Sequence, residues 1–406
     1  MNPSKDNKKI GLELELFFSH DYAPGAPFWL PKGMIIFKEL EKYIRELTGE
    51  ADYQEISTPI MVKSQLFIES GHFAKFGKAN IYNLQIADDE KDKNPIDYSL
   101  KPMNCPETTI AYRFRPRSYR ELPLRLSEIG RLHRKEKSGE VNGLLRVRQI
   151  TMDDAHIFAT EDQIFDEISN ILDMMIEFYT KFGFEFDFRL ATRPELFAGT
   201  EENWEKAEKD LEEALKKKKL KYSLKPADGA FYGPKIDVHI KDSLGREWQL
   251  ATVQLDFHMP EAFDLSFIDN KGEKKRPVMI HRAILGSFER YIGILTEHYQ
   301  GAFPLWLSPV QVAILPITDK QNKHAYEIVK KLKENGIRAE LDDRSERLQA
   351  KIRNAALQKV PYLGIIGDKE IEKNSISVRT LDGKDLGLLD LSHFLQKVKE
   401  EIDKKV

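Results

Sequence analysis

The stretch LRLSEIGRLHRKEKSGEVNGLLRVRQITMDDAH, residues 124–156, is the densest run of the chain, and its reading decides the fold. Leu124 to Glu136 and Leu144 to Met152 have the composition of strands. Lys137-Ser138-Gly139-Glu140-Val141-Asn142-Gly143 between them is rich in turn formers, so the stretch predicts an antiparallel hairpin. With the hairpin centred near Glu140, Arg134 lies opposite Arg146. The period of two then puts Glu136, Arg146, Ile150, Met152, Asp154 and His156 on the face of Arg134. Two guanidinium groups facing one another repel unless an anion lies between or over them. A face with paired arginines, then Asp154, then His156 reads as a track from a phosphate to a metal. The bland alternative is a solvated charged face; continuity with Asp154 and His156 weakens it.

Working outward, Lys101-Pro102-Met103-Asn104-Cys105-Pro106 holds the one cysteine in 406 residues, and Met279-Ile280-His281-Arg282 lies on the far side. A lone cysteine makes no internal disulfide and serves as core filler, nucleophile or metal ligand. One Cys and two His can hold a zinc ion with its fourth position open. Taken singly, each is more often a buried or surface residue.

Length and composition bound the class. At 406 residues, two or three domains are expected. Charged residues at 32% and hydrophobic residues at 41% are ordinary for a soluble chain. A net charge of −3 neither demands nor excludes nucleic acid. The start, Met1 to Lys9, lacks the apolar core of a secretory signal, no apolar run spans a bilayer, and a single cysteine suits a reducing compartment. The expectation is a soluble cytoplasmic protein without a membrane segment.

Phe37, Leu40, Ile44 and Leu47 predict a helix over 34–47, followed by an extended run ending at Pro59. A long helix is expected over 161–182, with Thr160 and Gln163 at capping-box spacing, and another over 200–219 whose terminal lysine run is a solvated helix end. The pattern changes near Phe303 to Pro309. Beyond it, strands at 310–315, 338–341 and 362–366 alternate with helices at 322–334 and 347–358, predicting a small α/β domain with a mostly parallel sheet. There are no internal repeats.

At this point the chain resembles the threonyl-tRNA synthetases, which are class II aminoacyl-tRNA synthetases, from about Lys9 to the C-terminus. Three class signatures occur in order. They are the helix-bearing stretch that ends at Pro59; His133-Arg134-Lys135-Glu136 through Gly143 to Arg148 and on to Asp153-Asp154-Ala155-His156; and Ala283-Ile284-Leu285-Gly286-Ser287-Phe288-Glu289-Arg290. The first is weak alone; the other two together are strong. Cys105, His156 and His281 match the family's zinc ligands.

The resemblance implies an α/β and α+β multidomain chain: a class II antiparallel-sheet catalytic domain over 1–307, then an anticodon-binding domain over 308–406. It implies ATP-dependent ligation of L-threonine to tRNA(Thr), in a homodimer, with Zn2+ and Mg2+. Arg134 is expected to clamp the α-phosphate and the amino-acid carboxylate, and Arg146 and Arg290 the outer phosphates and adenine end. Gly286 and Ser287, small and helical, let the nucleotide approach; Glu136 positions adenine or its metal; Gln249 and Thr252 line the ribose. Zinc binds threonine through its amino nitrogen and hydroxyl, which valine cannot match. Asp154 accepts the hydroxyl proton, while Tyr232, Lys235 and Gln254 wall the pocket, with Met103 and Ala283 counted as threonine-binding. His72 falls near the terminal ribose of tRNA. Ser345, Glu370 and Arg379 fall at anticodon-reading positions.

Three residues depart from the family pattern. Ile150 stands where a phenylalanine usually stacks on adenine, Met152 where a glutamine is usual, and Ser345 where an asparagine is usual. The resemblance also implies a short form, without the family's N-terminal editing domains. Serine, which has both amino group and hydroxyl, is therefore expected to be mischarged unless a separate trans-editing protein acts. The rival readings are a prolyl-type ligase, whose substrate offers no hydroxyl to a metal, and a synthetase-like paralogue with reduced or lost charging and a binding or regulatory role.

Overall fold

The computed structural model describes residues 6–87, 95–242 and 245–406. The first five residues of the N-terminal run read above lie outside them. The chain divides into two compact units: Asp21–Pro27 with Glu41–Tyr291, and Met1–His20 with Phe28–Leu40 and Ile292–Val406.

The first unit is built on one sheet. In chain order the elements that matter are α1 (Pro31–Glu50), β1 (Gln54–Glu55), α2 (Cys105–Arg113), β2 (Leu124–His133), β3 (Gln149–Ala159), α3 (Ile164–Lys181), β4 (Glu185–Ala191), α4 (Glu201–Lys217), β5 (Tyr222–Lys225), β6 (Lys235–Lys241), β7 (Glu247–Asp256), β8 (Val278–Ala283) and α5 (Phe288–His298). The sheet order is β5-β4-β6-β7-β8-β3-β2-β1. Only the edge pairs β5/β4 and β2/β1 are parallel; the strands between are antiparallel. The helix that leads to Pro59 ends at Glu50, and Pro59 follows the short strand β1.

The apolar stripe of α3, including Ile168, Ile171, Met175 and Phe178, is buried as its spacing predicts, and Thr160 forms the capping box with Gln163. Phe178 stacks on Tyr43 at 5.7 Å between ring centroids, and the hydroxyl of Tyr179 donates to the carbonyl of Ile284 at 2.7 Å. Thr200 caps α4, whose last turn carries Lys216 and Lys217.

The hairpin differs from its sequence reading in register and in its strand bounds: β2 ends at His133, not Glu136, and β3 runs on to Ala159, not Met152. β3 begins at Gln149, not Leu144. His133 pairs with Gln149, and the amide of Arg134 donates to the carbonyl of Arg148 at 2.9 Å, so Arg148 rather than Arg146 lies opposite Arg134. Leu144, Leu145 and Val147 are all buried, which an alternating strand cannot achieve, and the loop turns inward to bury them. The displacement is two residues, and an even displacement leaves the paired strand residues on their expected face. Ile150, Met152, Asp154 and His156 stay together.

The second unit contains β9 (Val312–Pro316), α6 (Asn322–Glu334), β10 (Ala339–Leu341), α7 (Leu348–Leu357), β11 (Tyr362–Ile366), β12 (Ser375–Thr380), β13 (Asp385–Asp390) and α8 (Leu391–Asp403). Its sheet order is β10-β9-β11-β12-β13. The first three strands are parallel, as expected of strands joined through helices; β12 and β13 are antiparallel additions. The tight connection between β12 and β13 permits only a hairpin, which corrects the mostly parallel expectation. Val312, Ile314, Ile328, Leu332, Ile376 and Phe394 belong to its core. Among the described residues no helix is long and apolar enough to cross a membrane.

One buried ion pair ties β3 to β8 and the turn after it. Asp153 accepts from Arg282 Nη1 at 2.6 Å and from the amides of Ile284 and Leu285 at 2.9 Å each. The Arg282 guanidinium also lies 4.7 Å from the centroid of the Tyr53 ring. Asp153→Ala leaves that guanidinium buried without its partner. A loss of about 3–5 kcal/mol in the stability of this unit is expected, read as a lowered urea midpoint followed by tryptophan fluorescence.

Candidate active site and metal centre

Three strands and one helix converge on a buried donor cluster. His281 on β8 lies directly opposite His156 on β3, and Gln254 on β7 lies opposite His281, with Lys235 on β6 next in the same row. The two imidazole rings sit edge to face with centroids 4.9 Å apart. Cys105, the first residue of α2, completes the group: its sulfur and one nitrogen of each imidazole lie within 4.8 Å of one another, and all three residues are buried. Among the described residues this is the one set of three or more such donors that could hold a metal ion.

Burial raises the Cys105 pKa well above its ordinary value, with Asp154 adding to the effect, and burial lowers that of His156. The histidine is therefore neutral, the form that ligates, while the thiol must lose its proton when a metal arrives. Asp256 accepts from His281 Nε2 at 2.8 Å, which leaves Nδ1 with its lone pair free. A thiol with two imidazoles fits zinc, and three protein donors leave its fourth position open.

The remaining residues of this corner lie close by. Asp154 Oδ1 is 3.9 Å from His156 Nε2, and Asp154 Oδ2 accepts from Asn104 Nδ2 at 2.9 Å. Burial raises the Asp154 pKa to about 6, against the hydrogen bond from Asn104. The Tyr232 ring lies 5.0 Å from the His281 ring, and its hydroxyl donates to Gln254. Lys235 pairs with Asp237, and Met103 packs on the apolar cluster that contains Cys105. His72 is buried, its Nε2 3.6 Å from the Cys105 sulfur and its Nδ1 2.8 Å from Ser70 Oγ; burial lowers its pKa to about 4. The structure thus brings His72 to the metal corner rather than to an open surface.

The same face of β3 leads from this corner to a cavity of about 310 Å³. Arg134, Arg146 and Arg290 line it, with Glu136, Ile150, Met152, Gln249, Thr252, Ala283, Gly286 and Ser287. Burial works against the charge of Arg134 and Arg290, and for Arg290 the neighbouring Arg134 and Arg146 add to the penalty. Such a cluster is stabilised by a polyanion. Arg146 donates to Glu136 at 2.8 and 3.0 Å and to Glu140 at 2.9 Å, so the Glu136 carboxylate is engaged with an arginine. Arg290 is anchored through Nε to the carbonyl of Leu145 at 2.9 Å.

Gly286 and Ser287 correct their reading as helical residues. Gly286 has φ +80° and precedes α5; a Cβ there would lie 2.9 Å from the carbonyl oxygen of Leu250. Its own carbonyl accepts from Asp153, and the Ser287 hydroxyl accepts from the amide of Arg290 at 3.1 Å. The turn, not the helix, brings small residues to the cavity.

In the second unit, Glu370 accepts from the amide of Gly367 at 2.8 Å and from Ser377 Oγ at 2.7 Å. Arg379 sits on β12, 3.6 Å from Asp385, and Ser345 is exposed. Sequence patterning did not single out Asn104 or Asp256. The first is adjacent to Cys105 and the second two residues beyond Gln254, but neither position has meaning until the strands are in register.

A largely antiparallel sheet with one arginine at the foot of a hairpin and another on the helix after the last central strand defines a class II aminoacyl-tRNA synthetase core. Residues 82–299 match the family model for the tRNA synthetase class II core domain (G, H, P, S and T), and residues 311–401 the model for an anticodon binding domain. The threonine–tRNA ligase of Clostridium kluyveri is 51% identical over 402 residues, and that of Clostridium novyi 52% identical over 401. Each alignment covers 99% of this chain, and the chain spans 62% of either relative's length. The crystal structure of the RNA binding domain of threonyl-tRNA synthetase from Cryptosporidium parvum matches with a TM-score of 0.92 at 38% identity, covering 98% of each chain. The chain belongs to the threonyl-tRNA synthetase family.

Two measurements probe the site directly. Purified protein is expected to carry one zinc per chain by elemental analysis, and Cys105→Ala to lose it. Gly286→Ala is expected to cost this unit about 1–3 kcal/mol of stability, the strain of a non-glycine residue at positive φ, read as a lowered urea midpoint.

Proposed function

We propose that this chain ligates L-threonine to tRNA(Thr) through a threonyl-adenylate, as a threonine–tRNA ligase. The observation that carries the reading is that Cys105, His156 and His281 meet on the same β3 face that opens, at Met152, into the arginine-lined cavity.

Zinc held by these three residues would supply a Lewis acid for both the amino nitrogen and the hydroxyl of threonine. Asp154 takes a hydrogen bond from that hydroxyl. Tyr232, Lys235 and Gln254 wall the amino acid, with Met103 and Ala283 beside them. Valine has the same shape and no hydroxyl, so it leaves Asp154 unsatisfied and is rejected.

ATP enters the arginine cavity and brings Mg2+ on its own phosphates. Arg134 orients the α-phosphate and the threonine carboxylate, Arg146 and Arg290 neutralise the outer phosphates, and Glu136 lies at the adenine end. Gln249 and Thr252 border the ribose, and the turn at Gly286 and Ser287 admits it. The carboxylate oxygen attacks the α-phosphorus, the bond to the bridging oxygen breaks, and pyrophosphate leaves. Positioning and charge stabilisation supply most of the acceleration. In the second step a hydroxyl of the terminal ribose attacks the carbonyl carbon and AMP leaves, with His72 as proton relay. Residues 1–307 carry this chemistry. Residues 308–406 bind the anticodon through Ser345, Glu370 and Arg379, in a cytoplasmic homodimer.

Ile150 is buried and aliphatic at the adenine wall, and Met152 offers no hydrogen bond. Those two positions favour a second reading, a paralogue with reduced or lost charging. Pyrophosphate exchange with threonine, serine, valine and proline separates the readings. Threonine-dependent exchange that disappears in Cys105→Ala is expected; no exchange with any amino acid in zinc-loaded protein points to the paralogue. Serine lacks one methyl, worth about 1–3 kcal/mol, so its kcat/KM for exchange should fall only about 10–200-fold below that of threonine. Ile150→Phe should lower the KM for ATP, and an unchanged value removes the stacking argument.

A further inference from the structure

Asn104 gives up two ordinary stabilising interactions. It occupies the N-cap of α2, where an asparagine side chain normally accepts from the first turn of the helix, yet it makes no such bond. Its amide instead crosses to β3, donating from Nδ2 to Asp154 Oδ2 at 2.9 Å. A carboxylate only accepts, so the amide nitrogen must face it, and the amide oxygen turns away. That oxygen is buried with no hydrogen-bond partner. Asn104 is fully buried, away from bulk solvent.

The opposite side of the amide is shaped to hold it there. Gly130 on β2 lies beneath it, and a Cβ at that position would come within 2.4 Å of Asn104 Oδ1, 2.7 Å of Nδ2 and 2.8 Å of Cγ. Glycine in a strand interior marks such a close approach. The amide is therefore wedged between a glycine and Asp154.

The consequence concerns the other oxygen of Asp154. Oδ1 lies 3.9 Å from His156 Nε2, beside the donor cluster. A carboxylate torsion is broad and turns readily when nothing holds it. A free carboxylate beside a zinc ion with three protein donors is a fourth ligand in waiting, and a fourth protein ligand closes the site. We propose that Asn104 is a positioning residue, seated by Gly130, that keeps Asp154 off the metal and reserves Oδ1 for the substrate hydroxyl. Because it holds Asp154 rather than touching the reacting atoms, its loss acts on metal coordination first and on turnover as a result.

The inference rests on the zinc and threonine reading above, and its test separates the two. The full chain is loaded with cobalt(II) in place of zinc, and its visible d–d bands are recorded with and without L-threonine and L-valine. In the native protein the bands are expected to shift with threonine and not with valine. In Asn104→Leu and in Gly130→Ala, which keeps every polar group and displaces the amide, the bands are expected to differ from native before any amino acid is added. The threonine shift is expected to be lost, and threonine-dependent exchange to fall roughly 10–100-fold. Adding Asp154→Ala to Asn104→Leu removes the intruding carboxylate, and the threonine shift returns while exchange stays low. A native-like threonine shift in Asn104→Leu, or in Gly130→Ala should the leucine variant not fold, overturns the inference and leaves the functional reading standing. Native protein that takes up no cobalt, or whose bands ignore threonine, overturns both.

Discussion

The register between β3 and β8 is the constraint on which the site depends. It sets His156 opposite His281 and, through β7 and β6, continues the row to Gln254 and Lys235. A slip of one residue would turn one imidazole to the far side of the sheet and break up the set of Cys105, His156 and His281. The lock lies on that far side. Asp153 binds Arg282 and the two amides beyond β8, and Tyr179 on α3 holds the carbonyl of Ile284. A buried ion pair adds little net stability against an apolar substitute. Here it specifies alignment, and the row of donors on the opposite face inherits it.

That division between faces also explains the electrostatics. On one face the buried guanidinium of Arg282 pairs through Nη1 with Asp153. On the other, three guanidinium groups converge with two glutamates held by one of them, and burial works against the charge of Arg134 and Arg290. A cavity with an excess of poorly solvated cations is adapted to a polyphosphate. The same face of β3 runs from Ile150 and Met152, which line that cavity, to Asp154 and His156 beside Cys105 and His281, and its period of two keeps the two ends aligned.

Much of this was legible in the residues because it depends on local period. The apolar stripes of α3 and α6, the capping box at Thr160, the strand at 362–366 and the shared face of Ile150, Met152, Asp154 and His156 follow from spacings that the backbone geometry enforces. The hairpin illustrates the limit. Its face assignment held although its register was off by two, because the face depends only on parity. The loop from Lys137 to Arg148 did not follow the pattern, since Leu144, Leu145 and Val147 are buried together and no strand can bury consecutive side chains on one side. Gly286 was read as helical for its size; its positive φ reflects the carbonyl of Leu250 beside it, a neighbour distant in sequence.

The chain by itself determined the periodic elements, the order of the class signatures and the identity of the three donors, because each resides in side-chain chemistry or in spacing along one element. Only the tertiary structure decided that Cys105 reaches the two histidines, that Asp256 holds one of them and that Asn104 is wedged between Gly130 and Asp154. It also decided that Glu136 is spoken for by Arg146, and that β12 and β13 run antiparallel to their neighbours. Those facts depend on which residues of different strands stand opposite one another. Register is set by packing and pairing across the whole sheet, and no local stretch of sequence contains it.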